Sequence, residues 1–260
     1  MKMLEFGNHL HKKLLLIHGM QVPWQVWQPQ IDHFSQHYCV IVPILDGHNP
    51  TEPSTFSSIE TEAEAIEKQF IKQYGDELFA ICGMSMGGSI ASVLWTRGNL
   101  RINKLFLEGA PLVPQSKLLT SIITKEYINL THKTKQRDPK TLNKCEKTFI
   151  PKKYMPYFLE MMDAMSDETI TSCVTSAGQF RLPESPKRDK IDIIYYHGTT
   201  LNELLSKKSA KYLKKYYPNT IIKCLNGYSH CQLVLQYPEE HKRLLEEFLR
   251  DKEQKRKRPV

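Results

Sequence analysis

The amino-acid sequence predicts an α/β fold, in which a mostly parallel central sheet is flanked by helices and carries a helical cap insertion. Three observations lead to this prediction. Short apolar runs alternate with longer amphipathic stretches, which is the pattern of parallel strands connected by helices. The stretch AICGMSMGGS at residues 80–89 joins an apolar run to a helical stretch through a tight turn around Ser85. The alternation then stops at Pro111 and resumes at Ile191.

The individual elements follow from the hydropathy along the chain. Apolar runs predict strands at 2–6, 13–18, 38–45, 78–83, 103–108, 191–196 and 220–225. Amphipathic stretches predict helices near 24–36, 57–74, 86–97, 203–217 and 238–250. The second helix has a marked start, because the stretch that begins at Ser57 carries Glu62, Glu64 and Glu67 in its early turns, where acids suit the positive end of a helix dipole.

The interruption in the alternation divides the chain into three parts. Residues 111–187 contain seven prolines and a strongly basic run at 131–153. We expect this segment to be a largely helical cap that lies over the strand ends. The α/β core would then comprise residues 1–110 and 188–250, and a basic tail would occupy residues 251–260.

Composition limits the classes of function. The chain has 260 residues and a formal net charge of +8, but its basic runs lack the signatures of RNA-binding modules and zinc fingers, so no nucleic-acid partner is expected. No apolar run is long enough to span a membrane, and the first residues do not resemble a signal peptide, so we expect a cytoplasmic location. His33 and His37 have i, i+4 spacing without a third ligand, and neither a metal nor an organic cofactor is expected.

Ser85 is the candidate nucleophile. A serine on a tight bend between a strand and a helix is held at the rim of the sheet, with its hydroxyl exposed. Such a hydroxyl is a poor nucleophile unless an adjacent base accepts its proton. Among the ten histidines, His230 is the candidate base, because it follows the last predicted strand on the Gly-containing loop NGYSH.

An oxyanion hole needs two backbone N–H groups directed at the charge that develops on the substrate oxygen. Met86, the residue after the serine, supplies the first at the start of its helix. Met20 supplies the second, after the early strand in LLLIHGM, where Gly19 lets the backbone turn towards the site. A plain connection between a strand and a helix is the alternative interpretation of this stretch.

These motifs together resemble the α/β-hydrolase superfamily. The resemblance rests on His18-Gly19 after an early strand, PILDGHNP after the next, GMSMGG at the central turn and GYSH late in the chain. It covers nearly the whole chain outside the cap. The resemblance implies the α/β-hydrolase fold, with Ser85 as the nucleophile, His230 as the base and the Met20 and Met86 amides as oxyanion donors.

The acid that orients the histidine is the least defined member of the site. The resemblance puts it a few residues after a Gly, on the loop YYHGTTLNELLSKKS, where Thr200 and Leu201 stand instead. Glu203, just beyond, is the first candidate, although it also suits the first turn of a helix. Glu108, at the end of the strand after the serine turn, is the second, and it could instead bind cap backbone or substrate. Asp46 is the third, although an Asp before Gly usually serves a turn.

The substrate pocket is expected to be apolar. The cap contains a methionine-rich stretch, YMPYFLEMMDAMS, with helical spacing, and methionine suits an acyl pocket with loose demands on shape. We expect Met161 and Met165 to line the pocket together with Trp24, which follows the oxyanion loop. The alternative is that the methionines form the face that packs a helix onto the body.

The sequence therefore predicts a serine hydrolase that cleaves a small or medium acyl ester, thioester or lactone through an acyl-enzyme. Its partner would be a small-molecule acyl substrate, and no oligomeric state follows from the sequence. A carbon–carbon bond hydrolase or an acyltransferase on the same residues is one alternative. A non-catalytic binding protein of the same fold is another, and it is favoured only by the missing acid at the usual place.

Overall fold

The computed structural model describes residues 1–184 and 191–250. The strands in these ranges are β1 Lys2–Phe6, β2 Lys13–Ile17, β3 Cys39–Ile44, β4 Glu77–Met84, β5 Arg101–Glu108, β6 Asp192–Gly198 and β7 Ile221–Leu225. They form one sheet in the order β1-β3-β2-β4-β5-β6-β7. Strand β1 runs antiparallel to β3, and the other neighbouring strands pair in parallel. The predicted mostly parallel sheet is confirmed.

Helices cover both faces of the sheet. They are α1 Gln28–Phe34, α2 Ile59–Tyr74, α3 Met86–Arg97, α4 Lys117–Lys135, α5 Pro139–Thr148, α6 Met155–Ala164, α7 Asp167–Gln179, α8 Leu204–Tyr216, α9 Gln232–Gln236 and α10 Pro238–Leu249. Short 3-10 turns precede α1, α6 and α8, at Trp24–Trp27, Lys152–Tyr154 and Leu201–Glu203. The five helices predicted outside the cap are present, whereas the short α9 was not predicted.

Local chemistry sets where two of these helices begin. The helix predicted at 24–36 is divided, because Pro29 has no N–H to continue the hydrogen bonding of the 3-10 turn and instead occupies the first turn of α1. Helix α2 is capped by Ser58, whose Oγ accepts from the Thr61 N–H at 3.0 Å.

The central strands are buried on both faces. Successive side chains of a strand point to opposite sides of the sheet. In β2, Leu15 and Ile17 pack on the side covered by α2 and α3, whereas Leu14 and Leu16 pack on the side covered by α1 and α10. All four side chains are fully buried. The carboxyl ends of the strands therefore give the loops that follow them a rigid base.

The segment predicted as a cap holds α4 to α7, and residues 111–184 contain no strand. Two hydrogen bonds place it over the loops that follow β2 and β3. The Gln21 side-chain amide donates to Thr131 Oγ1 on α4 at 2.7 Å, and the Ile59 N–H donates to Ser176 Oγ on α7 at 2.8 Å. These helices therefore lie at the carboxyl ends of the parallel strands.

Residues 185–190 and 251–260 lie outside the described residues. They include the last residues assigned to the cap, the first residues of the second part of the core and the whole basic tail. The division into core, cap and tail stays a prediction. Within the two described ranges, none of the helices combines the length and the apolar character needed to cross a membrane.

Candidate active site

The tight turn at Ser85 lies between β4, which ends at Met84, and α3, which begins at Met86. Ser85 has a φ of +50°, in the left-handed region that residues with a side chain seldom adopt. Its N–H donates to the Glu108 carbonyl oxygen at 2.8 Å, which holds the bend against β5. The bend presents the serine side chain to a cavity at the carboxyl ends of the strands.

Two glycines let this turn lie against the end of β2. A Cβ on Gly87 would stand 2.4 Å from the carbonyl oxygens of Ile17 and His18, and backbone atoms could not move aside. A Cβ on Gly19 would stand 3.2 Å from the Ser85 Cβ. The loop after β2 therefore passes directly beside the serine.

The two amides predicted as oxyanion donors lie on either side of this contact. Met86 is the first residue of α3, where the N–H groups have no acceptor within the helix. Met20 follows Gly19 in the loop after β2, and both methionines line the same cavity as Ser85. The arrangement suits two N–H donors that surround one substrate oxygen.

Two buried histidines hold the loop after β2 in place. The His18 Nε2 accepts from the Leu45 N–H at 3.2 Å, while its Nδ1 donates to the Gly19 carbonyl oxygen at 2.9 Å. The His48 Nε2 accepts from the Gln21 N–H, also at 3.2 Å. Burial lowers the pKa of His18 to about 3 and that of His48 to about 4. Both rings therefore stay neutral at physiological pH and keep the nitrogen that accepts.

His230 is in hydrogen-bond contact with both Ser85 and Glu203. Its Nε2 lies 2.9 Å from Ser85 Oγ, and its Nδ1 lies 2.8 Å from Glu203 Oε1. Because an ionised carboxylate can only accept, Nδ1 carries the proton and the lone pair of Nε2 faces the serine hydroxyl. This orientation is the one in which a histidine can take a proton from a serine.

Glu203 reaches His230 because the chain turns back soon after β6. Strand β6 ends at Gly198, and the 3-10 turn Leu201–Glu203 brings the carboxylate beside the imidazole. Glu203 Oε2 also accepts from the Gly198 N–H at 3.1 Å. Burial opposes the charged form, but the hydrogen bond and charge of His230 and the Gly198 amide outweigh it and hold the pKa of Glu203 below its ordinary value.

The two other candidate acids have different partners. The Glu108 carboxylate accepts from the Leu233 and Val234 N–H groups at 3.0 and 3.2 Å, at the start of α9. Burial raises the pKa of Glu108 to about 8 despite those two bonds. The Asp46 side chain accepts from a serine hydroxyl within its own loop. No hydrogen bond within the described ranges joins either carboxylate to His230.

A cavity of about 400 Å³ opens over Ser85 and His230. Its walls are mostly apolar and come from α4, α7 and the start of α8. Representative lining residues from these three elements are Leu119, Ile123, Tyr127, Val174, Ala177 and Leu204. The cavity suits an aliphatic group attached to a carbonyl that lies at the serine.

The residues predicted to line this cavity lie elsewhere, so that prediction needs correction. Met161 packs in a core cluster with other apolar residues of α6, such as Phe158 and Met162, and Met165 packs in a separate cluster with Val174. Met161 and Met165 are both fully buried. Trp24 packs against Phe6, with ring centroids 6.1 Å apart. The methionine spacing belongs to the face that packs a helix onto its neighbours, which was the alternative interpretation.

The residues that line the cavity on the α4 side were not predicted. Gln115, Leu119, Ile123 and Tyr127 follow one another at intervals of four residues. Such positions share one side of a helix. The interval can be found in the sequence, but it does not distinguish a face that lines a cavity from a face that packs on a core.

One group of side chains in the described ranges has ligand atoms close enough together for a metal ion. Glu5, His9 and Cys39 have ligand atoms within 4.8 Å of one another. Cys39 begins β3, so the group lies at the amino ends of the parallel strands, whereas Ser85 follows the carboxyl end of β4. None of the three residues lines the cavity.

A protein-family model described as alpha/beta hydrolase fold matches residues 12–145, slightly more than half of this chain. Curated relatives include the pimeloyl-[acyl-carrier protein] methyl ester esterases of Legionella pneumophila. The protein from strain Corby is 24% identical over 240 residues, which cover 91% of this chain and 95% of the relative. The same figures hold for the protein from strain Lens.

Solved structures share the fold over almost the whole chain. An alpha/beta hydrolase family protein from Desulfitobacterium hafniense has a TM-score of 0.78 at 20% identity, covering 96% of this chain and 100% of that one. A thermophilic esterase from Thermogutta terrifontis has a TM-score of 0.72 at 14% identity, covering 95% of this chain and 92% of that one. At these identities the similarity establishes the fold.

Proposed function

This chain belongs to the alpha/beta hydrolase fold family, and we propose on that premise that it is an esterase that works through an acyl-enzyme. The observation that carries the proposal is the continuous hydrogen-bonded chain from Ser85 through His230 to the buried Glu203, at the floor of an apolar cavity. The distance between Ser85 Oγ and His230 Nε2 allows the serine proton to pass to the imidazole. The distance between His230 Nδ1 and Glu203 Oε1 allows the carboxylate to orient that imidazole.

In the first half of the reaction, Ser85 Oγ attacks the ester carbonyl and its proton passes to His230 Nε2. The ionised Glu203 stabilises the imidazolium that forms and keeps the ring in the orientation set by its Nδ1–H. The Met20 and Met86 N–H groups donate to the oxygen that becomes negative. The imidazolium then gives its proton to the departing alkoxide oxygen, so an alcohol leaves and the acyl group stays on Ser85.

In the second half, water takes the place of the alcohol. His230 Nε2 accepts a proton from the water as its oxygen attacks the acyl-enzyme carbonyl, and the same proton then returns to Ser85 Oγ as the bond to the acyl group breaks. The products are a carboxylic acid and the regenerated serine. Each step uses the same short contact between His230 and Ser85.

The substrate we propose is an ester of a small or medium acyl group. The volume and the apolar walls of the cavity support this choice. The curated relatives are named for cleavage of a methyl ester on an acyl chain, which favours ester hydrolysis over the carbon–carbon hydrolase and acyltransferase alternatives. The argument for a non-catalytic protein was the empty acid position, and Glu203 supplies a carboxylate there. The cytoplasmic location stays a prediction.

The proposal is tested by measuring the intact mass of the protein after exposure to a fluorophosphonate. The natural chain should gain one adduct, and Ser85→Ala and His230→Ala should gain none, because both the nucleophile and its base are needed. Hydrolysis of p-nitrophenyl esters should be lost in the same two variants. A well-folded natural chain that gains no adduct and cleaves no ester would overturn the proposal and favour a binding protein.

A further inference from the structure

The cavity over Ser85 runs along one side of α4. Leu119, Ile123 and Tyr127 line it at successive intervals of four residues, and the eight residue steps from the first to the last span about 12 Å of helix. Gln115 continues the same interval just before α4 begins. The side of the cavity formed by this element is therefore apolar in its middle and polar at both ends.

The two ends of this wall have different neighbours, and only the Tyr127 end adjoins the oxyanion loop. The Tyr127 carbonyl oxygen lies 3.5 Å from the side chain of Gln21, the residue that follows Met20 in the oxyanion loop. Tyr127 and Met20 also pack against the same apolar cluster. Gln115 lies at the other end, where its N–H donates to the Gly178 carbonyl oxygen at the end of α7 at 2.9 Å. An acyl chain that starts at Ser85 and follows α4 thus ends near Gln115.

The Gln115 side chain has no hydrogen-bond partner at either end of its amide within residues 1–184 and 191–250. Its Oε1 is fully shielded from solvent. Gln21 and Gln30 also have an unpaired Oε1, but the amide nitrogen of each has a partner. Gln21 donates to Thr131 at 2.7 Å, and Gln30 Nε2 contacts a His241 ring nitrogen at 3.1 Å. Gln115 itself is half-buried, but a shielded amide oxygen with no partner is unfavourable until some group pairs with it.

The position of this amide is accommodated by the surrounding backbone. A Cβ on Gly178 would stand 2.5 Å from Gln115 Nε2. The Gln115 side chain therefore packs directly on the backbone of Gly178, in space that a side chain there would fill. Besides water, substrate is the component that the proposed reaction brings into this cavity. Its distal end is therefore the natural partner for Gln115.

The charge of the cavity restricts what that distal group can be. None of the described lining residues is a lysine or an arginine. A carboxylate placed beside Gln115 would lose its hydration without gaining a counter-ion. A neutral hydroxyl, ester or amide needs only the hydrogen bonds that a glutamine amide offers.

We propose that Gln115 binds an uncharged hydrogen-bonding group at the far end of an aliphatic acyl chain, so that the substrate class is a medium-chain ester with a neutral polar terminus. The proposal rests on the esterase function and deepens it. Gln115 contacts the substrate and determines specificity, while the chemistry remains that of Ser85.

The test compares p-nitrophenyl esters of matched chain length that end in a methyl, a carboxamide or a carboxylate group, over a series of lengths. At the best length, the natural chain should show a kcat/KM for the carboxamide at least about tenfold above those for the other two. Gln115→Leu should lose that preference, because its kcat/KM for the carboxamide-terminated ester should fall about tenfold. Gln179→Leu, an exposed glutamine at the end of α7, is the matched control and should keep the preference.

Two results would overturn the proposal and leave the esterase function standing. One is a natural chain that cleaves all these esters without preferring the carboxamide at any length. The other is a preference that survives in Gln115→Leu. The rate of fluorophosphonate adduct formation on Gln115→Leu, expected to equal that of the natural chain, checks that the variant is folded. Absence of both turnover and adduct on the natural chain would instead reject the esterase function itself.

Discussion

Two nearly inaccessible glutamates lie at the carboxyl ends of the neighbouring strands β5 and β6. One is the last residue of β5, and the other is on the 3-10 turn that follows β6. Glu108 is 4% exposed and Glu203 is 0% exposed. Each carboxylate accepts at least one backbone N–H, and both lie close to the loop that holds His230. Yet the pKa of Glu203 is held below its ordinary value, whereas that of Glu108 is raised to about 8.

The difference comes from the kind of partner. Burial disfavours the charged form of both glutamates. For Glu108 the compensation is two neutral amides at the start of α9, and the charge of Glu203 adds repulsion. For Glu203 the compensation includes an imidazole that can carry a positive charge, and this tips the balance towards ionisation. Two glutamates with similar burial thus take different roles, since one faces a base and the other anchors a helix.

The largest difference expected between Glu203 and Glu108 is in the loss of catalysis when each is replaced by glutamine. Glu203→Gln replaces an acceptor by an amide that can present N–H to His230 Nδ1, which favours the wrong tautomer, so kcat/KM for an ester should fall about 10³- to 10⁴-fold. Glu108→Gln touches no reacting group and should change kcat/KM by less than about tenfold. Steady-state kinetics on both variants at one pH measure the contrast.

Each variant serves as the control for the other, because both change a buried carboxylate into an isosteric amide. The fluorophosphonate reaction gives a second readout, which should be slowed in Glu203→Gln and nearly unchanged in Glu108→Gln. Equal losses in the two variants would mean that Glu108 also supports the imidazole, and the contrast drawn above would fail.

The choice between these acids illustrates where sequence reasoning stops. The strand, the serine turn and the late histidine are encoded locally, by apolar runs, by glycines and by position after a strand. Which glutamate contacts His230 depends on the 3-10 turn at Leu201–Glu203. This turn brings the Glu203 carboxylate back towards the end of β6, beside the imidazole. Hydropathy and spacing contain no signal for that turn. Glu203 and Glu108 therefore remained alternatives until the geometry was known.

The lining of the cavity over Ser85 was harder to predict for a related reason. Met161 and Met165 have a suitable composition and spacing, but an amphipathic stripe has the same appearance whether it packs on a core or lines a cavity. The choice is made by tertiary packing, which turns α6 inwards and places α4 and α7 over Ser85. The sheet needed no such information, because its strands are specified by their own hydrophobicity.

A smaller effect should appear in the pH dependence of stability. The pKa of Glu108 rises from its ordinary value of 4.5 to about 8 on folding, so the folded state binds the proton more tightly. The contribution of the protonated Glu108 to the stability of the fold is complete below pH 4.5, and it is lost as the pH rises through about 8. Between pH 4.5 and about 8, the protonation of Glu108 should make the free energy of unfolding fall by about 1.4 kcal/mol for each pH unit. Glu108→Gln should remove this contribution to the slope.

Urea unfolding between pH 6.5 and 8 is the cleanest measurement. Below pH 6.5 the buried histidines, such as His18 and His48, act in the opposite direction, because their lowered pKa values destabilise the fold as the pH falls. Glu62, whose pKa burial also raises to about 8, should leave a residual slope that Glu62→Gln removes. An unchanged slope in Glu108→Gln would show that Glu108 is ionised in the folded state and that the contrast with Glu203 is smaller than described here.

The smallest effect concerns a hydroxyl beside Glu203. Ser206 on α8 donates to the Gly109 carbonyl oxygen at 3.4 Å. It also hydrogen-bonds to Glu203, which helps to lower the pKa of that carboxyl group, after the larger contributions of His230 and the Gly198 amide. Loss of that bond in Ser206→Ala should raise the pKa of Glu203, because one hydrogen bond to its charged form is removed. The acid limb of the kcat/KM profile should move to higher pH by less than about one unit, and activity on that limb should fall by up to about fivefold.

Ser209→Ala is the matched control for this change. Ser209 lies on the same helix, accepts from the Leu112 N–H at 2.9 Å and donates to the Leu205 carbonyl oxygen at 3.1 Å. No hydrogen bond joins it to Glu203 within the described ranges. Its removal should therefore weaken the fold without moving the pH profile. A shift of the same size in both variants would assign the effect to loosening of α8, and the carboxylate would then be tuned by His230 and the Gly198 amide alone.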